Sequence, residues 1–302
     1  AMKSCEDAYD YITAFGSGVA GRLARRCWPG PVTLVVEHGQ QEGLISQLPP
    51  RVRQAVAPNG TVGIRVPAHP TLLDVLRMTV GPLVLTSANP SGQPPAGVGT
   101  EAAEMFADDV ALVLDDGPCR YSQPSTVVRA NESSWQCLRE GVVPLSAIER
   151  LSQMLILLVC TGNTCRSPMA EALMRKAIAE RLRIALDDEN SGVMVASAGV
   201  SASAGCAASP EAVEVMKQLG LDLSSHASQP LTDKLVQHAD QIYTLTSVHR
   251  QAIVQRWPEA ASRTANIRPD QGDIDDPIGG GLDTYRRCAI QIEDAVRQRV
   301  AE

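Results

Sequence analysis

The chain has 302 residues, 44% hydrophobic and 20% charged, which suits two soluble domains of ordinary size and leaves no run of about 18 apolar residues to span a membrane. Its net charge of −7 is evenly spread, with 12 basic and 15 acidic residues in 1–150 and 15 and 19 in the rest, so charge marks neither half as a nucleic-acid surface. Eight cysteines lack any CxxC pair or Cys/His metal spacing, which argues against zinc and fits a reducing cytosol; with no secretory signal in view, a cytoplasmic protein is expected.

In chain order, helices are expected at about 17–27, 46–57, 70–77 and 100–106. Strands are expected at Val32–Glu37, Thr61–Val66, Leu83–Ser87, Val110–Leu114 and Thr126–Arg129. Turn signals are frequent: Pro29-Gly30-Pro31, Asn89-Pro90-Ser91-Gly92 and Asp116-Gly117-Pro118. This is a mixed α/β pattern. A literal GxGxxG at Gly16–Gly21 has no clear strand before it and no acidic residue at the right distance after it, so it reads as a decoy. The Pro/Gly-rich pattern ends near residue 144, and Pro144–Gln153 looks like a short helical or extended linker. The boundary is placed at 150, giving modules 1–150 and 151–302. No internal repeat or low-complexity tract stands out.

The second module alternates strand and helix: strand 155–160, helix 167–183, strand 193–197, a helix capped by Ser209-Pro210-Glu211 and ending at Gly220, and strand 240–245. Helix 247–257, a short strand near 264–267 and a last helix at about 282–300 complete it. Such alternation implies a parallel sheet covered on both faces, with ligands beyond the carboxyl ends of its strands.

The most informative stretch is Cys160-Thr161-Gly162-Asn163-Thr164-Cys165-Arg166-Ser167-Pro168, directly after the apolar run 155–159. Pro168 suits an early helical position, so the loop from Cys160 to Arg166 lies at a helix N-terminus. Its backbone N–H groups can turn inward onto an anion, and the same field favours a thiolate at Cys160. Arg166 adds a planar fork for two phosphoryl oxygens. A nucleophile and an oxyanion clamp thus share one loop, as phosphoryl transfer through cysteine requires. A general acid is also needed. Asp276, before Pro277, is the first candidate, and Asp273 and Asp275 are weaker ones. Ser167 can donate to the thiolate, Asn163 tolerates a left-handed backbone, and Gly162 permits close approach. Cys165 either forms a disulfide with Cys160 on oxidation or simply packs. His226 and His249 read as structural or surface residues, and Asp240 as a strand-start hydrogen-bond partner.

These residues, with Ser197-Ala198-Gly199, His226 and Ala239-Asp240, resemble the low-molecular-weight protein tyrosine phosphatase family across 154–302. The resemblance implies a flavodoxin-like fold, a cysteinyl-phosphate intermediate and no metal. It assigns Cys160 as nucleophile, Arg166 as phosphate clamp and Asp276 as acid. Thr161, Gly162, Asn163, Thr164, Cys165 and Ser167 would bind phosphate or set specificity. Two features look like the protein arginine phosphatase branch: polar Thr164 in place of an aliphatic residue, and Ile278-Gly279-Gly280 in place of aromatics after Asp276-Pro277. An aryl phosphate wants aromatic walls. Phosphoarginine on a protein is therefore the favoured substrate and phosphotyrosine the next. Arsenate reduction would need a further cysteine pair, and Cys206 and Cys288 are isolated. A phosphate-binding module without turnover is the remaining alternative.

In the first module, Arg65, Ser87, Asn89, Ser125, Thr126 and Arg139 sit at expected strand ends and turns and could ring a nucleotide phosphate. Turn chemistry alone would account for the glycines and prolines equally well. The ordered set from Trp28-Pro29-Gly30-Pro31 to Leu138-Arg139-Glu140-Gly141 resembles the threonylcarbamoyl-AMP synthase family, which serves tRNA modification. The resemblance covers roughly 1–145 and implies ATP, threonine, bicarbonate and magnesium. It also implies an earlier segment with a Lys-x-Arg element that this sequence lacks, so an incomplete domain is expected. Synthase activity as the main function is the alternative reading, and the tRNA pathway would then be met only indirectly.

Overall fold

The computed structural model describes every residue except 38–42, 91, 108, 122, 187–190, 271 and 302. Two compact units divide the chain, Ala1–Ser152 and Gln153–Glu302.

The first unit runs α1 (Cys5–Tyr11), α2 (Gly18–Cys27), β1 (Val32–Glu37), α3 (Pro50–Val56), β2 (Thr61–Ile64), α4 (Pro70–Met78), α5 (Gly99–Phe106), β3 (Thr126–Ala130), β4 (Trp135–Arg139) and α6 (Leu145–Ser152). Its sheet has the order β2-β1-β3-β4; β1 pairs parallel with β3, and the outer pairs are antiparallel. Alternate residues Val32, Leu34 and Val36 are buried, as one covered face requires. They pack with Phe15, Leu23 and Trp28. Ile148 of α6, fully buried, joins the same cluster. The segment after Pro144 is therefore a helix with a core-facing side chain, not a linker.

The glycines of the decoy motif have a packing role. Gly18 has φ +62°, and a Cβ there would lie 2.3 Å from the Glu132 carbonyl oxygen. The first amides of α2 are spent on the β3–β4 turn: Val19 N–H donates to Glu132 O and Ala20 N–H to Asn131 O, both at 2.9 Å. These two amides are therefore not offered to a dinucleotide pyrophosphate.

Two expected strands are not formed. Leu83–Ser87 and Val110–Leu114 are irregular, and Val84 and Leu112 are 79% and 72% exposed. β-Rich composition makes a strand only when a neighbour takes its backbone groups along the segment; Leu83 exchanges two bonds with Ala1, and among the described residues neither segment joins a sheet. Helix 46–57 is interrupted at Pro49-Pro50 into a short 3₁₀ turn, Leu44–Gln47, and α3. Helix α1 and strand β4 were not foreseen from sequence.

The second unit runs β5 (Met154–Cys160), α7 (Arg166–Leu182), β6 (Val193–Gly199), α8 (Pro210–Gln218), α9 (Asp233–His238), β7 (Gln241–Thr244), α10 (Ser247–Arg256), β8 (Thr264–Asn266) and α11 (Leu282–Ala301). The sheet order is β6-β5-β7-β8, all parallel. This is the flavodoxin-like doubly wound order, in which the chain reverses direction across β5. Both faces of β5 are covered. Leu158 joins the core with Met169, Leu173 and Ile292, whereas Leu157 joins Ile242, Ile253 and Trp257. That is why 155–159 is continuously apolar rather than alternating. Asp240 closes the start of the sheet, its carboxylate accepting from Leu155 N–H at 2.8 Å. The short α9 lay unnoticed in the sequence, although Thr232 caps it.

Leu158→Ala should lower the stability of the second unit by about 2–5 kcal/mol in chemical denaturation, because the site is fully buried and close-packed. A loss under about 0.5 kcal/mol would contradict this packing.

Candidate active site

Cys160 is the last residue of β5, at the edge where α/β sheets bind ligands. The chain then makes one tight loop into α7. Four of its carbonyl oxygens accept from donors on surrounding elements. Cys160 O accepts from Val200 N–H at 2.9 Å, Thr161 O from Ser201 N–H at 3.0 Å, and Thr164 O from Ser209 N–H at 2.8 Å. Asn163 O lies 2.8 Å from His226 Nε2; a carbonyl only accepts, so that nitrogen carries the proton. With the carbonyls held outside, the loop amides are left for the centre. Asn163 N–H donates to the Cys160 sulfur at 3.3 Å.

Asn163 carries the bend. Its φ of 55° is left-handed, a conformation asparagine tolerates better than most residues. Its fully buried side chain locks the bend: Nδ2 donates to Ser167 Oγ and Ser197 Oγ, both at 2.9 Å, and Oδ1 accepts from Gln229 N–H at 2.8 Å. Ser197 Oγ in turn donates to Glu171 at 2.6 Å. Ser167 Oγ lies 2.9 Å from the Cys160 sulfur. It accepts from Asn163, and its own proton has the sulfur at 2.9 Å and the more distant Ala198 O at 3.5 Å as acceptors. Gly162, by contrast, is not forced, since a Cβ there would meet only Thr164 Oγ1 at an ordinary 3.6 Å. The indispensable glycine is Gly199, where a Cβ would lie 2.4 Å from Thr161 O and 3.0 Å from Asn163 N.

Arg166, buried at 6% exposure, donates from Nη2 to Asp276 Oδ2 at 2.6 Å and from Nη1 to Ile274 O at 3.3 Å. Both partners belong to the loop ahead of α11. The three carboxylates of that loop are distinguished by their partners. Asp273 caps α10, accepting from Ser247 N–H at 2.7 Å. Asp275 is held by Gln291 Nε2 at 2.9 Å. Asp276 alone reaches Arg166, with its side chain half exposed. Cys160, Arg166 and Asp276 are thus joined through one loop and one ion pair.

Cys165 is a free, buried thiol 3.3 Å from the Tyr285 hydroxyl. Burial and that contact push the Tyr285 phenol up to about 12. Thr164 Oγ1 lies 3.6 Å from the Cys165 sulfur. Cys206 is exposed, while burial pushes the Cys288 thiol up to about 12. Neither resembles the activated partner that a thiol cascade needs.

His249 was missed as a site residue. It is buried, with Nε2 2.9 Å from Thr161 Oγ1 and Nδ1 2.8 Å from Thr246 Oγ1. Burial first, then the Arg166 charge, push it down to about 4 against pulls from Asp276 and Asp273. His226, Ser197, Gln229 and Glu171 were likewise not given a task by sequence, although Ser197 and His226 lay in segments that carried the family resemblance.

In the first unit, the structure gathers three of the six expected nucleotide-binding residues. Arg139 Nη2 donates to Ser125 O at 2.9 Å and Oγ at 3.3 Å. The Thr126 hydroxyl donates to Val143 O and accepts from the amides of Gly141 and Val143. Its hydrogen-bonding capacity is filled by protein. Arg65 Nε donates to Gly30 O at 2.9 Å. Ser87 is exposed in an irregular segment. Nearby Asn89 donates to Pro90 O and Gln93 O, and its buried Oδ1 finds no partner among the described residues. Ser91 of that motif lies outside the described residues. Among the described residues, no group of three His, Cys, Asp or Glu side chains is placed to hold a metal, and no helix is long and apolar enough to cross a membrane. The residues as arranged do not form a ready cradle for ATP and magnesium.

Comparison with known proteins matches two separate stretches of the chain. Residues 155–302 match the family model for low molecular weight phosphotyrosine protein phosphatase, and residues 1–141 match the Sua5/YciO/YrdC model, described as telomere recombination. A protein-arginine-phosphatase of Bacillus subtilis (strain 168) is 40% identical over 147 residues, 47% of this chain and 92% of the relative. A probable low molecular weight protein-tyrosine-phosphatase, EpsP, of Ralstonia solanacearum is 41% identical over 142 residues, 47% of this chain and 85% of the relative. A threonylcarbamoyl-AMP synthase of Pyrococcus abyssi is 35% identical over 132 residues, 44% of this chain. The chain spans only 36% of that synthase.

Two outcomes are expected. Gly199→Ala should leave the protein folded but lower kcat/KM on p-nitrophenyl phosphate at least about tenfold, since the loop backbone must yield to the new methyl; unchanged kinetics would contradict the close approach. Burial of neutral His249 stabilises the fold fully above its unfolded value of 6.5, and that contribution is lost as pH falls toward about 4. The unfolding midpoint of the wild type should therefore drop more steeply between pH 7 and 4.5 than that of His249→Gln; parallel curves would refute the buried neutral ring.

Proposed function

The chain belongs, through residues 155–302, to the low-molecular-weight phosphotyrosine protein phosphatase family and carries a Sua5/YrdC domain ahead of it; from that premise we propose a cytoplasmic protein arginine phosphatase working through a phosphocysteine. The observation that carries the reading is the Cys160 sulfur among Asn163 N–H and Ser167 Oγ, on a loop whose arginine holds Asp276.

In the proposed reaction, the phosphoryl group of a phosphorylated protein binds the loop amides and the Arg166 guanidinium, displacing Asp276 toward the leaving atom. The Cys160 thiolate attacks phosphorus. The P–N bond breaks, and its electron pair takes the proton of the Asp276 carboxyl group, releasing arginine. A water molecule then attacks the phosphocysteine and gives its proton to the Asp276 carboxylate. The S–P bond breaks, inorganic phosphate leaves and the thiolate returns, assisted by the Ser167 proton. No metal or cofactor is needed for these steps. Thr161, Gly162, Asn163, Thr164 and Cys165 shape the anion cradle.

The preference for phosphoarginine rests on the walls of the site. Thr164 offers a hydroxyl rather than an aliphatic side chain, Ile278 stands 72% exposed where a ring would otherwise flank Asp276, and the Tyr285 hydroxyl is tied to Cys165 inside the core. A hydrated guanidinium suits such a mouth better than an aryl ring. The likeness to a relative named for tyrosine phosphatase activity keeps phosphotyrosine as the second reading.

For the first unit we infer no synthase turnover in this chain. The filled Thr126 hydroxyl and the irregular Ser87–Asn89 segment support that reading.

Cys160→Ser should reduce turnover at least about a thousandfold while retaining phosphate binding; retained hydrolysis would exclude Cys160 as nucleophile. Thr164→Ile should move the kcat/KM ratio of phosphotyrosine to phosphoarginine peptides upward by about tenfold or more, and an unmoved ratio would remove the specificity argument. Mixed with ATP, threonine, bicarbonate and magnesium, the full chain should release no pyrophosphate above background; clear product would overturn the inference about the first unit.

A further inference from the structure

The buried ring of His249 is not explained by packing alone, because both its nitrogens are used and they point to different parts of the site. Nε2 lies 2.9 Å from the hydroxyl of Thr161, the exposed residue that follows the Cys160 nucleophile. Nδ1 lies 2.8 Å from the hydroxyl of Thr246, which also accepts from His249 N–H at 3.3 Å and so caps α10. The next residue, Ser247, donates its amide and hydroxyl to the two carboxylate oxygens of Asp273, at 2.7 and 3.2 Å. Asp273 is three residues before Asp276, and Ile274 N–H is fastened to Leu245 O at 2.8 Å just ahead of the same cap. A continuous hydrogen-bonded path therefore runs from the phosphate loop through His249 and the α10 N-terminus to the loop that carries the acid.

We propose that His249 is a positioning residue that sets the phosphate loop and the acid loop in register, so that Asp276 meets the leaving atom of a group held over Cys160. The ring touches neither substrate nor sulfur; it acts through Thr161 on one side and through Thr246, Ser247 and Asp273 on the other. A neutral imidazole supplies one donor and one acceptor, and two hydroxyls, each able to do either, complete both bonds in either tautomer. The groups facing the ring are Arg166, Asp276 and Asp273. A second positive charge beside Arg166 is disfavoured there, which keeps the ring in the neutral form the path requires.

The inference rests on the phosphatase reading, and its test separates the two. Full-chain wild type, His249→Ala, Thr246→Val and the double variant are assayed on p-nitrophenyl phosphate, whose leaving group departs without much help, and on phenyl phosphate, which needs the acid. Inhibition by inorganic phosphate reports the cradle itself. Each single variant should lose about tenfold in kcat on phenyl phosphate and under about threefold on p-nitrophenyl phosphate, with phosphate inhibition nearly unchanged. The double variant should be no worse than the weaker single one, since both remove the same link. Equal losses on the two substrates, additive losses, or collapse of phosphate binding would overturn the positioning role. If His249→Ala unfolds, Thr246→Val, which keeps the imidazole and removes the hydroxyl at its Nδ1, decides by the same leaving-group comparison. A wild type inactive on both substrates would instead sink the phosphatase reading.

Discussion

The outward pull on the carbonyl oxygens of the loop after β5 is the constraint on which the second unit depends. A peptide group that directs its C=O to one side directs its N–H to the other. By anchoring Cys160 O, Thr161 O, Asn163 O and Thr164 O to Val200, Ser201, His226 and Ser209, the fold leaves loop amides for the opposite side, where Asn163 N–H donates to the Cys160 sulfur. An anion there meets donors already in place, so little reorganisation is required when charge develops on a transferring phosphoryl group. Substituents that look remote, such as Gln229 and Glu171, matter because they fix Asn163 and Ser197, which fix the loop.

The sheet supplies the rigidity behind this arrangement. β5 is buried on both faces and central, so its last residue is among the best fixed points of the unit. Asp276, the proposed acid, comes from a different element, the loop before α11, and is tied to the Cys160 loop by its ion pair with Arg166. The pair gives Asp276 a defined place beside the clamp when no phosphoryl group occupies it. In the first unit the Thr126 hydroxyl and the Val19 and Ala20 amides are taken up by the unit's own turns.

Much of the second unit was legible in sequence because its signals are local. A continuous apolar strand, a glycine-asparagine loop, an early-helix proline and alternating element lengths each follow from neighbouring residues. The parallel order and the position of Cys160 at a strand end came with them. The tasks of His249, His226 and Ser197 were not legible, since each depends on contacts with residues 34 to 88 positions away. In the first unit, Leu83–Ser87 and Val110–Leu114 have strand-like composition, yet composition cannot say whether a partner strand exists. The glycines at 16–21 matched a binding pattern, while their physical cause was the approach of Glu132 to Gly18.

The central claim is that phosphoryl transfer passes through the Cys160 sulfur. Its most direct measurement uses Asp276→Asn, in which the second half of the reaction is slowed, mixed briefly with p-nitrophenyl phosphate, quenched and mapped by peptide mass spectrometry. One phosphoryl group should appear on the peptide containing Cys160, at the sulfur, and disappear on longer incubation. Phosphate found on another residue, or continued turnover with the Cys160 peptide never modified, would contradict the account.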